Sequence, residues 1–222
     1  HEDTTNLPPY PQLNGQNTVE DVYFDEMTVK SKIKNLKISS SSGPDGISSK
    51  FLYDHVDYLS VPLSILYTKS LASGSVPQDW REANVSPIYK KGSKNNPENY
   101  RPISLTSIPC KIMESILKDG IINYLLNYHL LNSSQHGFLP NKSCTTNLLV
   151  FLEKITKAVD EGIPMDIIYL DFSKAFDKVP HKRLLLKMKS LGITGNILKW
   201  VESWLTNRKQ RTVLNGVFSS WV

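Results

Sequence analysis

The 222-residue sequence predicts an α+β fold that is rich in helices. Most of the chain between residues 28 and 205 places apolar side chains three and four positions apart, which is the period of an amphipathic helix. Only short runs near residues 85–89, 167–170 and 211–218 have the composition of strands. Hydrophobic residues make up 40% of the chain and charged residues 21%, as in ordinary globular domains.

The N-terminal part begins with a segment in which hydrophobic residues show no regular spacing. Residues 1–27 are polar and contain Pro8, Pro9 and Pro11, so we predict a linker or an N-terminal arm. Thr28 is expected to cap a short helix, and residues 51–72 predict a second one. The core positions expected in these two helices are Val29, Ile33, Leu36, Leu59, Leu63, Leu66 and Leu71.

The middle of the chain predicts a strand, a polar loop and a long helix. Residues 85–89 are expected to form the strand, and residues 90–98 are rich in Lys, Asn and Gly and predict the loop. Arg101 should be extended, because a residue before proline avoids the helical region. A helix is then expected from about residue 110 to residue 128, with Ile112, Ile116 and Leu125 facing inward.

The C-terminal part predicts further helices and a β-hairpin. One helix should end near Gly162, a second near Gly192, and a third should open at Thr194. Asn215-Gly216 lies between two strand-like runs and is typical of a tight hairpin turn. The core positions expected in these helices are Leu148, Leu152, Ile155, Val159, Leu184, Leu185, Met188, Leu191, Ile197, Val201, Trp204 and Leu205.

A candidate metal site follows the strand-like run at residues 167–170. That run is bounded upstream by Gly162 and Pro164, and we predict a buried strand that ends at Asp171. A carboxylate in this position can hold Mg²⁺ against a phosphoryl group, because hard cations take oxygen ligands. A turn or helix cap is the commoner role of such an aspartate, so this feature alone leaves both interpretations open.

Positive charge is concentrated at the C-terminal end. The whole chain has a net charge of +5, whereas residues 171–222 carry ten Lys or Arg and three Asp or Glu, a net charge of +7. Such a surface is typical of phosphate binding, although a solvated helix face explains it equally well. Cys110 and Cys144 have no metal-ligand spacing, and we expect an intracellular, reduced protein without a membrane span.

Several spaced motifs together are more specific than the aspartate. They are Ser42–Ile47 (SGPDGI), Pro87–Gly92 (PIYKKG), Asn99–Leu105 (NYRPISL), Gln135–Phe138 (QHGF), Ser143–Thr145 (SCT) and Tyr169–Asp177 (YLDFSKAFD). In this order they closely resemble the reverse transcriptases of non-LTR (LINE-like) retrotransposons. The resemblance implies right-hand polymerase fingers and a partial palm, a split βαβ unit with an incomplete antiparallel sheet. It also implies RNA-directed DNA polymerisation, in which deoxynucleoside triphosphates extend a DNA primer on an RNA template.

The resemblance assigns roles around the aspartate. Asp171 would be the catalytic, metal-binding carboxylate, and the backbone carbonyl of Phe172 a further ligand beside the nucleotide, for two Mg²⁺ ions or for Mn²⁺. Phe176 would lie beneath the incoming sugar and exclude a 2′-hydroxyl, with a core position as the alternative. Asp177 would either organise the site through hydrogen bonds or cap the following turn.

The remaining assignments concern phosphates and the template. Arg101 and either Lys90 or Lys91 would bind the triphosphate, since guanidinium groups donate paired hydrogen bonds to phosphate. His136, His181 and the tryptophans are expected to have ordinary structural roles. The residues expected to contact template or primer are Gln135, Gly137, Phe138, Ser143, Lys182 and Arg183, with Lys187 and Lys189 nearby.

One departure from the family concerns the second half of the palm. The chain contains no Asp-Asp pair, and it resembles the part of the enzyme that precedes the Pro-Gln-Gly and Ala-Asp-Asp motifs. We therefore expect fingers over residues 28–145, a partial palm over residues 146–222, and no activity without the remaining palm and thumb. Two alternatives stay open, a non-catalytic nucleic-acid-binding remnant and a phosphohydrolase. The parent element is expected in nucleus and cytoplasm.

Overall fold

The computed structural model describes residues 18–222, so most of the predicted arm lies outside the described residues. The helices are α1 (Glu26–Lys34), α2 (Ser49–Asp54), α3 (Val56–Ser73), α4 (Ile108–Asn127), α5 (Cys144–Asp160), α6 (His181–Ser190) and α7 (Gly195–Leu205). The strands are β1 (Glu82–Tyr89), β2 (Tyr100–Thr106), β3 (Lys209–Leu214) and β4 (Val217–Phe218). No helix among these is both long and apolar enough to cross a bilayer.

The described chain forms two compact units. The first comprises residues 18–121 together with His181–Val222, and the second comprises Ile122–Pro180. The first unit therefore contains α1 to α3, the start of α4, all four strands, α6 and α7. The candidate phosphate-binding residues of the middle segment belong to the first unit, whereas Asp171 and its neighbours belong to the second.

Tyr67 on α3 lies at the centre of the first unit's core. Its side chain is fully buried, and its ring centroid lies 5.6 Å from that of Phe24 and 5.9 Å from that of Trp80. The hydroxyl donates to the carbonyl of Pro109 at 2.8 Å, so burial leaves no unpaired phenol. Each fully buried large apolar side chain contributes about 1.5–3 kcal/mol. The predicted core positions confirmed in this unit are Val29, Ile33, Leu63, Leu71, Ile112, Ile116 and Ile197.

Two helix boundaries differ from the prediction. Asp25, not Thr28, caps α1: its carboxylate accepts from the backbone N–H of Thr28 at 2.8 Å. The predicted helix over residues 51–72 is two helices, because the chain leaves the helical region at His55 (φ −112°, ψ 23°). Within α3, Leu66 is 41% exposed where a core position was expected, whereas Leu63 on the same helix is buried.

The sheet is mixed rather than antiparallel, which corrects the prediction. The strand order is β2-β1-β3-β4, with β1 antiparallel to β2 and parallel to β3, and with β3 antiparallel to β4. Antiparallel β1 and β2 follow one another along the chain. Strand β3 pairs in parallel with β1, although β2 and helices α4 to α7 lie between the two strands in the sequence. Hydrophobic periodicity and turn residues do not indicate a pairing between strands so far apart along the chain. The hairpin of β3 and β4 turns at Asn215 and Gly216, both with positive φ, as predicted.

Two prolines face each other across β1 and β2 without breaking the pair. Pro87 is the partner of Pro102, three positions before the hydrogen-bonded pair of Lys90 and Asn99. Pairs alternate between hydrogen-bonded and non-hydrogen-bonded, so neither proline needs an N–H here. Pro87 has no donor to offer toward β3, and the β1–β3 pairing ends at Val85.

The loop with the SGPDGI motif packs against the end of β2. A Cβ atom on Gly43 would lie 2.5 Å from the carbonyl carbon of Thr106, a distance that no side chain tolerates. Only glycine permits this close approach of the two backbones. Gly43 of the motif therefore has a structural explanation in this chain, independent of any ligand.

The C-terminal helices close the first unit as predicted. Thr194 precedes α7, and Ile197 and Trp200 are buried. The Nε1 of Trp200 donates to the Oγ of Ser70 at 2.9 Å, which joins α7 to α3. Val19 exchanges backbone hydrogen bonds with Gly192 and Thr194 at 2.9 and 3.0 Å.

The second unit departs most from the prediction. Helix α5 forms, but its expected core positions Leu148, Leu152 and Val159 are 60%, 53% and 69% exposed. The segment at residues 167–170 is not a strand, and Ile168, Tyr169 and Leu170 are at least 80% exposed. A strand needs a partner to satisfy its backbone groups, and the described residues pair none with this segment. The prediction of a buried strand before Asp171 is therefore wrong for this chain.

Candidate functional site

Lys90 and Arg101 lie at the open end of the β1–β2 pair. Arg101 is the partner of Ile88, and the backbone N–H of Lys90 donates to the carbonyl of Asn99 at 2.8 Å, which continues the ladder by one residue. Lys90 therefore shares a face with Ile88 and Arg101, as residues two apart on a strand do. Diagonal neighbours of this kind are about 7–8 Å apart. The surface that holds Asn84, Ile88, Lys90, Arg101 and Arg211 is here called the Arg101 face.

The loop between β1 and β2 folds over the opposite face. Tyr89 and Tyr100 are partners there, with ring centroids 5.7 Å apart. The hydroxyl of Tyr89 donates to the carbonyl of Gly92 at 2.5 Å, and that of Tyr100 to the carbonyl of Lys94 at 2.9 Å. The ammonium group of Lys94 lies 5.7 Å from the Tyr89 ring centroid. These contacts hold the loop away from the Arg101 face, where Lys90 and Arg101 are both exposed.

The register also distinguishes Lys90 from its neighbour. Lys91 follows the last paired residue and lies in a bend, next to Gly92 with φ 88°. Lys91 is therefore not fixed to the Arg101 face by strand pairing, whereas Lys90 is.

Asp171 lies in an exposed segment of the second unit. Its neighbours Leu170 and Phe172 are 86% and 80% exposed, and a turn follows in which the N–H of Lys178 donates to the carbonyl of Lys174 at 3.1 Å. Asp177 belongs to the same turn. Within residues 18–222, no group of three or more His, Cys, Asp or Glu side chains is placed to hold a metal ion. One carboxylate and one carbonyl are suitable donors for Mg²⁺, but they are an incomplete ligand set.

Phe176 contacts a residue of another predicted motif. Its ring meets that of Phe138 edge to face, with centroids 5.9 Å apart and an interplanar angle of 88°. Both rings are largely exposed, Phe138 to 81% and Phe176 to 77%. The alternative that Phe176 is a core residue is therefore wrong in the described chain. This contact joins the two motifs within the second unit, and the separation of 38 positions gave no signal for it in the sequence.

The other template candidates of this unit have local structural roles. The Oγ of Ser143 accepts from the N–H of Thr146 at 3.1 Å and caps α5, while the Oγ1 of Thr146 accepts from the N–H of Ser143 at 2.9 Å. His136 is buried, with Nδ1 3.0 Å from the Oγ1 of Thr146. The side chain of Gln135 donates to the carbonyl of Gly137 at 3.0 Å, and a Cβ on Gly137 would meet only that amide, at 3.6 Å. Protein packing therefore does not require glycine at position 137.

Comparison with known proteins decides the family. A sequence profile of the family "Reverse transcriptase (RNA-dependent DNA polymerase)" matches residues 88–221, more than half of the chain. The chain belongs to this reverse transcriptase family. The matched range includes Arg101, Gln135 and Asp171, and it confirms the resemblance on which the motifs were interpreted.

Three curated relatives that this reverse transcriptase chain resembles come from mobile elements of the fruit fly Drosophila melanogaster. The probable RNA-directed DNA polymerase from transposon BS is 28% identical over 72% of the chain. The RNA-directed DNA polymerase from mobile element jockey is 25% identical over 86%, and the probable RNA-directed DNA polymerase from transposon X-element is 31% identical over 51%. The chain spans only 18%, 21% and 13% of the lengths of these three relatives, respectively.

Of the ten basic residues in residues 171–222 of the reverse transcriptase chain, all except Lys174 and Lys178 lie in the first unit. Lys182 and Arg183 belong to the first turn of α6. Lys187 and Lys189 belong to its last turn, where the helix dipole favours positively charged side chains. Arg211 on β3 was not predicted as a site residue. Its guanidinium lies 4.1 Å from the ring centroid of Phe218 and 4.5 Å from that of Trp221, and its Nε donates to the Oδ1 of Asn84 at 2.8 Å.

Proposed function

We propose that this chain supplies the nucleotide-binding fingers and the first palm segment of an RNA-directed DNA polymerase. The observation that carries the proposal is the pair of exposed cations, Lys90 and Arg101, held by strand register on one uncovered face within a reverse transcriptase chain. The substrates would be deoxynucleoside triphosphates, an RNA template and a DNA primer with a free 3′-hydroxyl. The relatives named above as RNA-directed DNA polymerases support this reaction.

Arg101 and Lys90 would bind the triphosphate of the incoming nucleotide. The planar guanidinium can donate two parallel hydrogen bonds to phosphate oxygens, and the ammonium group adds a second charge with freely rotating donors. Their diagonal separation of about 7–8 Å fits neighbouring groups of one polyphosphate chain. Ladder pairing supports Lys90 over Lys91 for this role.

Asp171 and the backbone carbonyl of Phe172 would provide oxygen ligands for Mg²⁺, with Mn²⁺ as a substitute. When bound, the two ions supply charge neutralisation at the phosphates and a lowered pKa at the primer hydroxyl. Asp171 would hold its charge at the reacting phosphate, and Asp177 would orient the turn that follows. Further carboxylates are needed to complete the ligand set, so we propose that residues 1–222 alone do not polymerise.

Phe176 would lie beneath the sugar of the nucleotide, with Phe138 supporting its ring from the side at 5.9 Å. An aromatic ring there would clash with a 2′-hydroxyl and favour deoxynucleotides. The exposed ring of Phe138, with Gln135, Gly137 and Ser143 in the same loop region, would lie along the template strand. Lys182 and Arg183 at the start of α6 would contact template or primer phosphates.

A second candidate function is nucleic-acid binding without catalysis. The net charge of +7 over residues 171–222 favours this function, because contacts to nucleic-acid phosphates need only positive charge and no metal ion. A chain of this kind would bind RNA equally well with Asp171→Asn. With either function, the parent mobile element would act in the nucleus and cytoplasm.

Nucleotide affinity tests the proposed triphosphate site. In a polypeptide that continues through the Asp-Asp segment of the parent protein, we expect Arg101→Ala to raise the KM for deoxynucleotides about tenfold or more. A charge-assisted phosphate contact contributes about 1.5–3 kcal/mol, and each tenfold change corresponds to about 1.4 kcal/mol. Steady-state primer extension at varied nucleotide concentration measures this constant.

Lys90→Ala and Lys91→Ala form a matched pair for the same assay. Both remove one exposed ammonium group from adjacent positions, so their effects on net charge are identical. We expect only Lys90→Ala to raise the KM. An equal rise in KM for the two substitutions would indicate a general effect of positive charge rather than a specific contact. An unchanged KM in Arg101→Ala would assign Arg101 a structural role.

A further inference from the structure

A second cationic pocket lies in the first unit, at the other end of the Arg101 face. It has a volume of about 400 Å³ and forms where the turn before β1 meets the start of β3. Its position follows from the pairing of Glu82 with Lys209, the first residues of these two parallel strands. The lining residues are Val76, Gln78, Arg81, Glu82, Asn207 and Lys209.

Arg81 lines this pocket, and Ser203 anchors its side chain. Its Nη2 donates to the Oγ of Ser203 at 2.9 Å, and the same oxygen accepts from the backbone N–H of Val76 at 3.2 Å. These bonds fix the guanidinium. Its Nε is buried, and no acceptor for it exists among the described residues. Arg81 therefore presents a positively charged side chain in a fixed position beside the pocket.

The charge around the pocket selects an anion. Lys209 is exposed and adds a second cation, and Arg211 lies two residues further along the same face of β3. Glu82 is the one carboxylate in the lining, and none of the ion pairs within residues 18–222 joins it to Arg81 or Lys209. The ionised lining residues therefore sum to one positive charge, which matches the single negative charge of a phosphodiester group.

We propose that this pocket binds one backbone phosphate of a single RNA strand. The guanidinium group of Arg81 and the ammonium group of Lys209 would donate to its oxygens, and the side-chain amides of Gln78 and Asn207 are available beside them. Glu82, the partner of Lys209, lies six residues before Ile88, the partner of Arg101, so the pocket and Arg101 are about 20 Å apart along β1. A free phosphate does not span this distance, whereas a strand of linked phosphates does.

RNA binding at varied salt tests the pocket, with neither nucleotide nor metal present. We expect Lys209→Gln to weaken binding of a labelled RNA strand of roughly 12 nucleotides, a length suited to a single-strand groove. One lost phosphate contact lowers the slope of log K against log salt by about 0.7 for a single strand. Glu82→Gln should tighten binding, because it removes the repelling charge. Lys37→Gln, which removes an exposed lysine elsewhere in the first unit, is the matched control and should leave the slope unchanged.

A direct readout of Arg81 keeps the test independent of folding effects. The Nε–H resonance of Arg81, identified by its loss in Arg81→Lys, should shift when RNA is added to the labelled protein. A shift with inorganic phosphate but no effect of Lys209→Gln on RNA binding would mean a site for small anions and would overturn the proposal. An unshifted resonance with an unchanged salt slope would overturn it as well. Neither result depends on whether Arg101 binds a triphosphate, although the choice of RNA rests on the proposed function.

Discussion

Asp171→Asn is expected to abolish RNA-templated primer extension by a polypeptide that contains this chain and the Asp-Asp segment of its parent protein. Asparagine keeps the size and one oxygen of the side chain but loses the charge that binds a metal ion. Removing a single electrostatic contribution to a transition state costs about 10²–10³ in rate, and a bridging carboxylate affects both ions, so we expect about a thousandfold loss or more. Extension of a labelled primer under single-turnover conditions measures this rate.

Asp166→Asn is the matched control for this substitution. Asp166 is exposed, lies five residues before Asp171 in the same unit and undergoes the same chemical change. We expect it to retain the rate. Equal losses in the two variants would indicate an unspecific effect of charge, and a fully active Asp171→Asn variant would favour the non-catalytic nucleic-acid-binding function.

Phe176→Val is expected to admit ribonucleotides in the same longer polypeptide. If the ring lies beneath the incoming sugar, a smaller side chain removes the clash with the 2′-hydroxyl. The ratio of kcat/KM for ribonucleotide over deoxynucleotide should then rise about tenfold or more, which corresponds to about 1.4 kcal/mol. Because Phe176 is 77% exposed, the substitution should change the melting temperature little.

The control for the sugar preference is Phe51→Val on α2. Phe51 is 48% exposed and belongs to the first unit, where no nucleotide contact is assigned to it. It should alter neither the sugar preference nor the melting temperature by much. A Phe176→Val protein that keeps its preference for deoxynucleotides would assign another residue to this selection.

The features that the sequence predicted well depend on local interactions. Helix α4 and the hairpin of β3 and β4 formed where expected, because periodicity and the Asn215-Gly216 turn act within a few residues. The apolar stripe of α5 was predicted correctly as a pattern, but Leu148 and Leu152 are exposed. Periodicity identifies which side of a helix is apolar and contains no information on what covers that side.

The candidate site shows the same division between local and distant signals. Arg101 could be predicted from its motif, but the choice between Lys90 and Lys91 required the strand register. The pocket of Arg81 depends on Ser203, and the position of Arg211 depends on Asn84; each pair is separated by more than 120 positions. Contacts at such separations leave no trace in the spacing of one sequence.

Primer extension by two matched polypeptides tests the central claim most directly. One is the 222-residue chain, and the other continues through the Asp-Asp segment of the parent protein; each is compared with its Asp171→Asn variant on an RNA template with Mg²⁺. We predict RNA-dependent extension only by the longer polypeptide with Asp171 intact. Extension by the 222-residue chain above its Asp171→Asn variant, or none by the longer polypeptide, would contradict the proposal that this chain holds one part of a two-metal polymerase site.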